Sequence, residues 1–236
     1  MAPLAVPDDL AAVLFDLDDT LVDHRGASRA GLESWAAGLG LGGTSDELAA
    51  RWTALEMRHF SAYQRGETTF AGQRRARVRA FLPHLDLRDD TLADAEFAGY
   101  LAGYERAWRA FGDAADALRR ASAAGLRVAV LTNGDERQQR AKVERTGLAR
   151  LLDALGAPVL VSSTLRAAKP DPRAYALACG RLGVPTGAAL MVGDSVANDV
   201  VGARSAGLAA VLLDRYDEHP RRGPQRVRTL ADLRFG

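Results

Sequence analysis

The sequence predicts an α/β fold, a Rossmann-like parallel sheet with helices on both faces plus an inserted α-helical bundle, and three observations predict it. Short apolar runs rich in β-branched residues recur at Ala11–Leu17, Arg127–Thr132, Pro158–Ser163, Ala188–Gly193 and Ala209–Leu213. Each is nearly continuous rather than alternating, the pattern of strands buried on both faces of a parallel sheet. Helix-like segments with readable ends separate the last four runs, whereas residues 22–106 carry helix patterns and no convincing strand.

Taken in order, the first run ends in Asp16-Leu17-Asp18-Asp19-Thr20, where Asp19 reads as a turn residue and Thr20 as a side chain that fixes the turn. The insert then divides into helix patterns over 27–39, 46–64, 70–82 and 91–111. Thr44 with Glu47 three residues later is a capping-box signature for the second of these. In that helix Leu48, Trp52, Leu55 and His59 recur at three- or four-residue spacing, giving one face to bury. Thr68 or Thr69 caps the third, and Asp89 or Asp90 the fourth. Trp35, Trp52 and Trp108 sit on apolar faces and read as core, while Arg74, Arg75, Arg77 and Arg79 spread around a helix circumference and read as a solvated face. Four helices joined by short turns make a small bundle, so residues 1–21 and 107–236 are expected to form the α/β core and residues 22–106 a separate helical insert.

Later helices have clearer ends. The segment 135–146 stops at Gly147, 172–182 starts with Pro172 after Asp171 and stops at Gly183, and 196–206 stops at Gly207. Strand–helix–strand repeats of these lengths read as right-handed crossovers. Cys179 shares a helix face with Tyr175 and Leu182 and reads as packing. Residues 217–228, with Pro220, Arg221, Arg222, Gly223, Pro224, Arg226 and Arg228, read as a solvated basic loop.

Composition bounds the function. A chain of 236 residues suits one large domain or a core with an insert. One cysteine excludes an internal disulfide framework and fits a reducing compartment. A net charge of +1 offers no electrostatic case for nucleic acid or membrane partners. The start lacks a basic n-region, Asp8 and Asp9 interrupt it, and no run approaches the ~18 apolar residues of a membrane span, so a cytoplasmic protein is expected. Of the 31 basic residues only Lys142 and Lys169 are lysines.

Open α/β sheets bind ligands beyond the carboxyl ends of their strands. Those ends present Asp16 and Asp18, Thr132, Lys169 and Asp194 around one opening. Two bare carboxylates ~4 Å apart repel by about 4 kcal/mol at an effective dielectric near 20. Such a cluster must share protons, pair with a cation or bind a metal, and hard oxygen ligands with open positions suit Mg²⁺. Gly193-Asp194-Ser195 is also similar to the nucleophile motif of Gly-Asp-Ser-Leu esterases, but it lies late, carries Val196 for leucine, and no Asp-x-x-His pattern follows.

The set resembles the haloacid dehalogenase-like hydrolase superfamily, most of whose members are Mg²⁺-dependent phosphatases. Its motifs appear in order as Asp16-x-Asp18-x-Thr20, Thr132-Asn133-Gly134, Lys169 within Lys-Pro-Asp-Pro, and Gly193-Asp194 followed by Asp199. The insert after the first motif resembles the helical cap of the phosphoglycolate phosphatase branch. The resemblance implies a small phosphorylated metabolite as substrate, with Asp16 as nucleophile and Asp18 as general acid and base. It implies phosphate contacts from Thr132, Asn133 and Lys169. It also implies a metal held by Asp16, the Asp18 carbonyl and Asp194, with Asp199 behind them orienting Lys169 or a metal-bound water. The cap would exclude water and select the substrate. Dehalogenases of the family lack an acid at the position of Asp18, which therefore favours phosphoryl chemistry over a 2-haloacid dehalogenase. The resemblance leaves a phosphomutase and a non-catalytic binding protein on the same fold open as well. Arg166 stands three residues before Lys169, where many relatives carry glycine. His24 follows the first motif and reads as a substrate contact or part of the hinge into the insert.

Overall fold

Backbone pairing divides the chain at the points where the insert leaves and returns. In the computed structural model, which describes residues 4–6, 9–219 and 225–235, one unit comprises Met1–Asp23 and Arg109–Gly236 and the other His24–Trp108. Val22 pairs with Ala110, and the Asp23 N–H donates to the Arg109 carbonyl at 3.0 Å, which binds both junction strands to the first unit.

The helical unit contains α1 (His24–Ala36), α2 (Ser45–Gln64), α3 (Phe70–Phe81) and α4 (Asp90–Arg106). The Thr44–Glu47 capping box starts α2, Thr69 caps α3 and Asp89 caps α4. The last helix stops at Arg106 rather than running to 111, because the chain beyond it is drawn into the extended Val22–Ala110 pairing. Trp52, 1% exposed, centres the core, with Tyr100, Phe81 and Trp35 rings 4.6, 5.0 and 5.4 Å away. Where α1 and α4 cross, a Cβ on Gly31 would lie 2.6 Å from the Tyr104 nitrogen, so only glycine permits that approach.

Arg77 corrects the expectation of a solvated arginine face. It is 3% exposed, its guanidinium lies 4.0 Å over the Trp52 ring, and its Nη1 donates to Glu56 at 2.8 Å. Glu56 from α2 meets the charge, and the indole covers the flat face of the guanidinium. Arg75 and Arg79 do pair at the surface, with Asp94 and Asp90.

The α/β unit continues with α5 (Ala114–Ala123), α6 (Glu136–Arg145), α7 (Leu148–Ala154), α8 (Ser162–Leu165) and α9 (Pro172–Leu182). A π-helical segment, Val196–Gly202, runs into α10 (Ala203–Ser205). Of the α-helices, α5, α7 and α8 were not among those expected, and α8 takes up Ser162 and Ser163, which were read as the end of a strand. Gly147, at φ +77°, ends α6 and turns the chain directly into α7. The strands are β1 (Leu4–Ala5), β2 (Ala12–Phe15), β3 (Arg127–Thr132), β4 (Val159–Val161), β5 (Ala189–Gly193), β6 (Ala209–Leu213), β7 (Arg226–Val227) and β8 (Leu233–Arg234).

The expected parallel α/β sheet is present. Its order is β4-β3-β2-β5-β6-β7 with every neighbour parallel, while β1 and β8 pair separately. Side chains alternate between two apolar layers, as period-2 geometry requires. Val13, Phe15, Val130, Val192 and Val211 enter one layer with Leu118 of α5 and Val143 of α6. Leu14, Leu131, Met191 and Leu212 enter the other with Tyr175, Ala178 and Cys179 of α9. Both faces are covered, which is why the strands read as unbroken apolar runs. Strand order reverses at β2, so the carboxyl ends of β2, β3 and β5 surround the switch point.

The C-terminal basic stretch is only partly a loop. Arg226 sits in β7 and its part-buried side chain pairs with buried Asp214. Residues 220–224, including Pro220, Arg221, Arg222, Gly223 and Pro224, lie outside the described residues, as do residues 1–3, 7 and Asp8. Among the described residues no helix is long and apolar enough to cross a membrane.

Candidate active site

At the carboxyl end of β2 the ladder extends one residue further, the Asp16 N–H donating to the Val192 carbonyl at 2.9 Å. That pairing fixes Asp16, 6% exposed, beside the end of β5. Gly193 closes β5, and a Cβ there would lie 2.3 Å from the Asp199 carboxyl carbon; glycine lets Asp199 fold back onto the strand end. Asp199 is 1% exposed, with Oδ2 accepting from the Ser195 N–H at 3.0 Å and Oδ1 from Lys169 Nζ at 2.6 Å. Lys169 Nζ also donates to Asp16 Oδ1 at 2.5 Å. Buried Lys169 therefore bridges the two acids.

Asn133 holds the lysine loop through a reciprocal pair. Its Nδ2 donates to the Lys169 carbonyl at 2.7 Å, and the Lys169 N–H donates to its Oδ1 at 2.9 Å. Thr132 ends β3, is 1% exposed, and its hydroxyl accepts from Gln139 Nε2 at 2.6 Å. Asp19 adopts φ +55°, turning the chain after the first motif, and Arg215 Nη2 donates to the Thr20 carbonyl at 2.8 Å. Among the described residues no partner meets the buried Thr20 hydroxyl, so the turn is not fixed through that oxygen.

Sequence reading did not anticipate Gln139 and Lys142, which lie on the inward face of α6 with Val143. Lys142 Nζ donates to Asp18 Oδ1, and Gln139 Nε2 donates to Asp18 Oδ2 at 2.9 Å. A signal existed: in a chain with only two lysines, both sit on acids of this cluster.

The electrostatics show acid in excess. Burial pushes the Asp16 carboxyl up to about 7, with the Asp199 and Asp18 charges adding and Lys169 opposing. Burial, then Asp16, Asp199 and Asp19, hold Asp194 well above the carboxylate range. Burial disfavours the charge of Lys169, but Asp16 and Asp199 outweigh it and raise its pKa. Carboxylate oxygens of Asp16, Asp194 and Asp199 lie within 4.8 Å of one another. Lys169 and the Ser195 N–H occupy both oxygens of Asp199, and among the described residues no donor meets the Asp194 carboxylate. A hard divalent cation fits that excess of oxygen charge.

A family model for haloacid dehalogenase-like hydrolases matches residues 10–207. The chain belongs to this family. Among haloacid dehalogenase-like hydrolases it is 33% identical over 248 residues to a phosphoserine phosphatase of Thermus thermophilus, covering 95% of this chain and 94% of that protein. It is 31% identical to (S)-2-haloacid dehalogenase 4A of Burkholderia cepacia, covering 90% and 87%. Its fold matches the putative HAD-hydrolase YfnB from Bacillus subtilis with a TM-score of 0.74 at 20% identity, over 94% and 96% of the two chains.

Proposed function

We propose that the chain is a Mg²⁺-dependent phosphatase of a small phosphorylated metabolite, working through an aspartyl-phosphate on Asp16. The observation that carries this reading is the gripped carboxyl group of Asp18, two residues from Asp16 in the same cluster. An alcohol leaving from phosphorus needs a proton, whereas a halide leaving from carbon does not.

In this reading an Asp16 oxygen attacks phosphorus, the bond from phosphorus to the leaving oxygen breaks, and Asp18 gives that oxygen its proton. Asp18 then takes a proton from water as the water attacks the aspartyl-phosphate, releasing phosphate and restoring Asp16. Lys169 and the Thr132 hydroxyl meet phosphate oxygens. Asn133 contributes through its backbone N–H, since its amide group holds Lys169. Asp199 keeps Lys169 in place. Asp16, the Asp18 carbonyl and Asp194 would hold Mg²⁺, which supplies charge neutralisation for the phosphoryl group. The helical unit, His24–Trp108, serves as the cap that selects the substrate. Buried Cys179, the single thiol, suits a reducing cytoplasm.

The test is a panel of phosphoserine, phosphoglycolate, ribose 5-phosphate and nucleoside monophosphates assayed for inorganic phosphate, alongside 2-chloropropionate assayed for chloride. Phosphate release from at least one ester and no chloride is expected. Chloride release without phosphate release would replace this reading with dehalogenation.

A further inference from the structure

Lys142 is 0% exposed and Gln139 2%, on a helix whose other residues are largely polar and solvent-facing. A lysine so withdrawn from water is retained where its charge is met, and here it meets Asp18. The Asp18 side chain is 29% exposed, so packing alone does not immobilise it. Donors instead hold both of its oxygens, Lys142 on Oδ1 and Gln139 on Oδ2. The same Gln139 nitrogen donates to the Thr132 hydroxyl, which ties the grip to the end of β3.

The choice of lysine over arginine is informative. A forked guanidinium takes both oxygens of a carboxylate, whereas a compact ammonium takes one and leaves the other for a second donor.

We infer that Lys142 and Gln139 are positioning residues that hold the Asp18 carboxyl group in one orientation through both of its proton transfers. The inference rests on the phosphatase reading. In the first transfer the proton moves from Asp18 to the leaving oxygen; in the second it moves from water to Asp18. Loss of the grip therefore penalises esters in proportion to their need for that first proton.

The readout is kcat/KM, which covers steps only as far as departure of the alcohol. It is measured with Mg²⁺ on the best alkyl ester of the panel above and on p-nitrophenyl phosphate, whose phenolate leaves without a proton. Lys142→Met should lower kcat/KM on the alkyl ester by about 100-fold and on the aryl ester by less than about 5-fold. Gln139→Leu should skew the same ratio in the same direction by about 10-fold, within the range of a displaced general acid. It leaves the Lys142–Asp18 pair intact, so it carries the test if Lys142→Met fails to fold. Asp18→Asn sets the largest skew attainable. Equal losses on both esters, or no loss, would overturn the inference while leaving the phosphatase reading standing. A wild-type chain that releases phosphate from no ester overturns the reading and the inference together.

Discussion

Each unit buries a cluster of charges, and the two clusters are resolved in opposite ways. In the helical unit Glu56 is met from two sides, by Arg77 at 2.8 Å and by His24 Nε2 at 3.6 Å. Burial works to raise its pKa, but Arg77 and His24 outweigh burial and hold it well below the ordinary range. His24 also pairs through Nδ1 with the Tyr104 hydroxyl at 2.8 Å, so it is built into this cluster. In the α/β unit the cations that meet Asp16, Asp18 and Asp199 are Lys142 and Lys169, and Asp16 and Asp194 are pushed up rather than down. A cluster whose charges are met braces a fold. One that leaves acid unmet is poised for an incoming cation and for chemistry.

The sharpest way to break the contrast is to remove a charge from each cluster. Arg77→Met leaves the part-buried Glu56 without its main partner and should cost about 2–3 kcal/mol in urea unfolding. Asp194→Asn should do the reverse, stabilising the EDTA-treated chain at pH 8, because burial and the neighbouring Asp16, Asp199 and Asp19 charges disfavour its ionised form. Destabilisation by both would show that the acids of the α/β unit are balanced, contrary to the comparison.

Titration gives the same contrast with opposite signs. Glu56 has a folded pKa below its unfolded value of about 4.3, so its stabilisation is present above that pH and is lost as pH falls. Asp16 has a folded pKa of about 7, above its unfolded value, so its contribution is present at acid pH and is lost as pH rises through 7. Unfolding of the metal-free chain followed from pH 3 to 8 should show both limbs. Glu56→Gln should flatten the acid limb alone, and Asp16→Asn the limb approaching pH 7 alone.

A smaller effect lies in the loop before Lys169. Arg166 adopts φ +54° and ψ +29°, a left-handed conformation that suits glycine, and its side chain is exposed. Where the resemblance leads one to expect glycine, the Arg166 backbone still makes the turn. Arg166→Gly should raise stability by about 1 kcal/mol in urea unfolding, with phosphate release unchanged.

What the sequence disclosed follows from which interactions are local. Unbroken apolar runs revealed β2, β3, β5 and β6 because a strand covered on both faces needs no knowledge of its partner. Asp16, Thr132 and Asp194 were legible because each sits where such a run stops. Arg77 and Lys142 were not, since a buried charge is explained by a partner distant in sequence, 21 residues away for Glu56 and 124 for Asp18. Hydrophobic periodicity sees only a polar residue in a polar helix. The short helices α5 and α7 escaped for a related reason: half of one is alanine, and the other follows α6 after only Thr146 and Gly147.

The central claim, that the acid-rich cluster of the α/β unit uses Mg²⁺ to hydrolyse phosphate esters through Asp16, has a direct test. Inorganic phosphate release is compared for wild type and Asp16→Asn, each with Mg²⁺ and with EDTA. The account predicts release by the wild type with Mg²⁺ only, and a loss of at least about 10³-fold in Asp16→Asn. Equal wild-type rates in Mg²⁺ and EDTA, or full activity in Asp16→Asn, would contradict it.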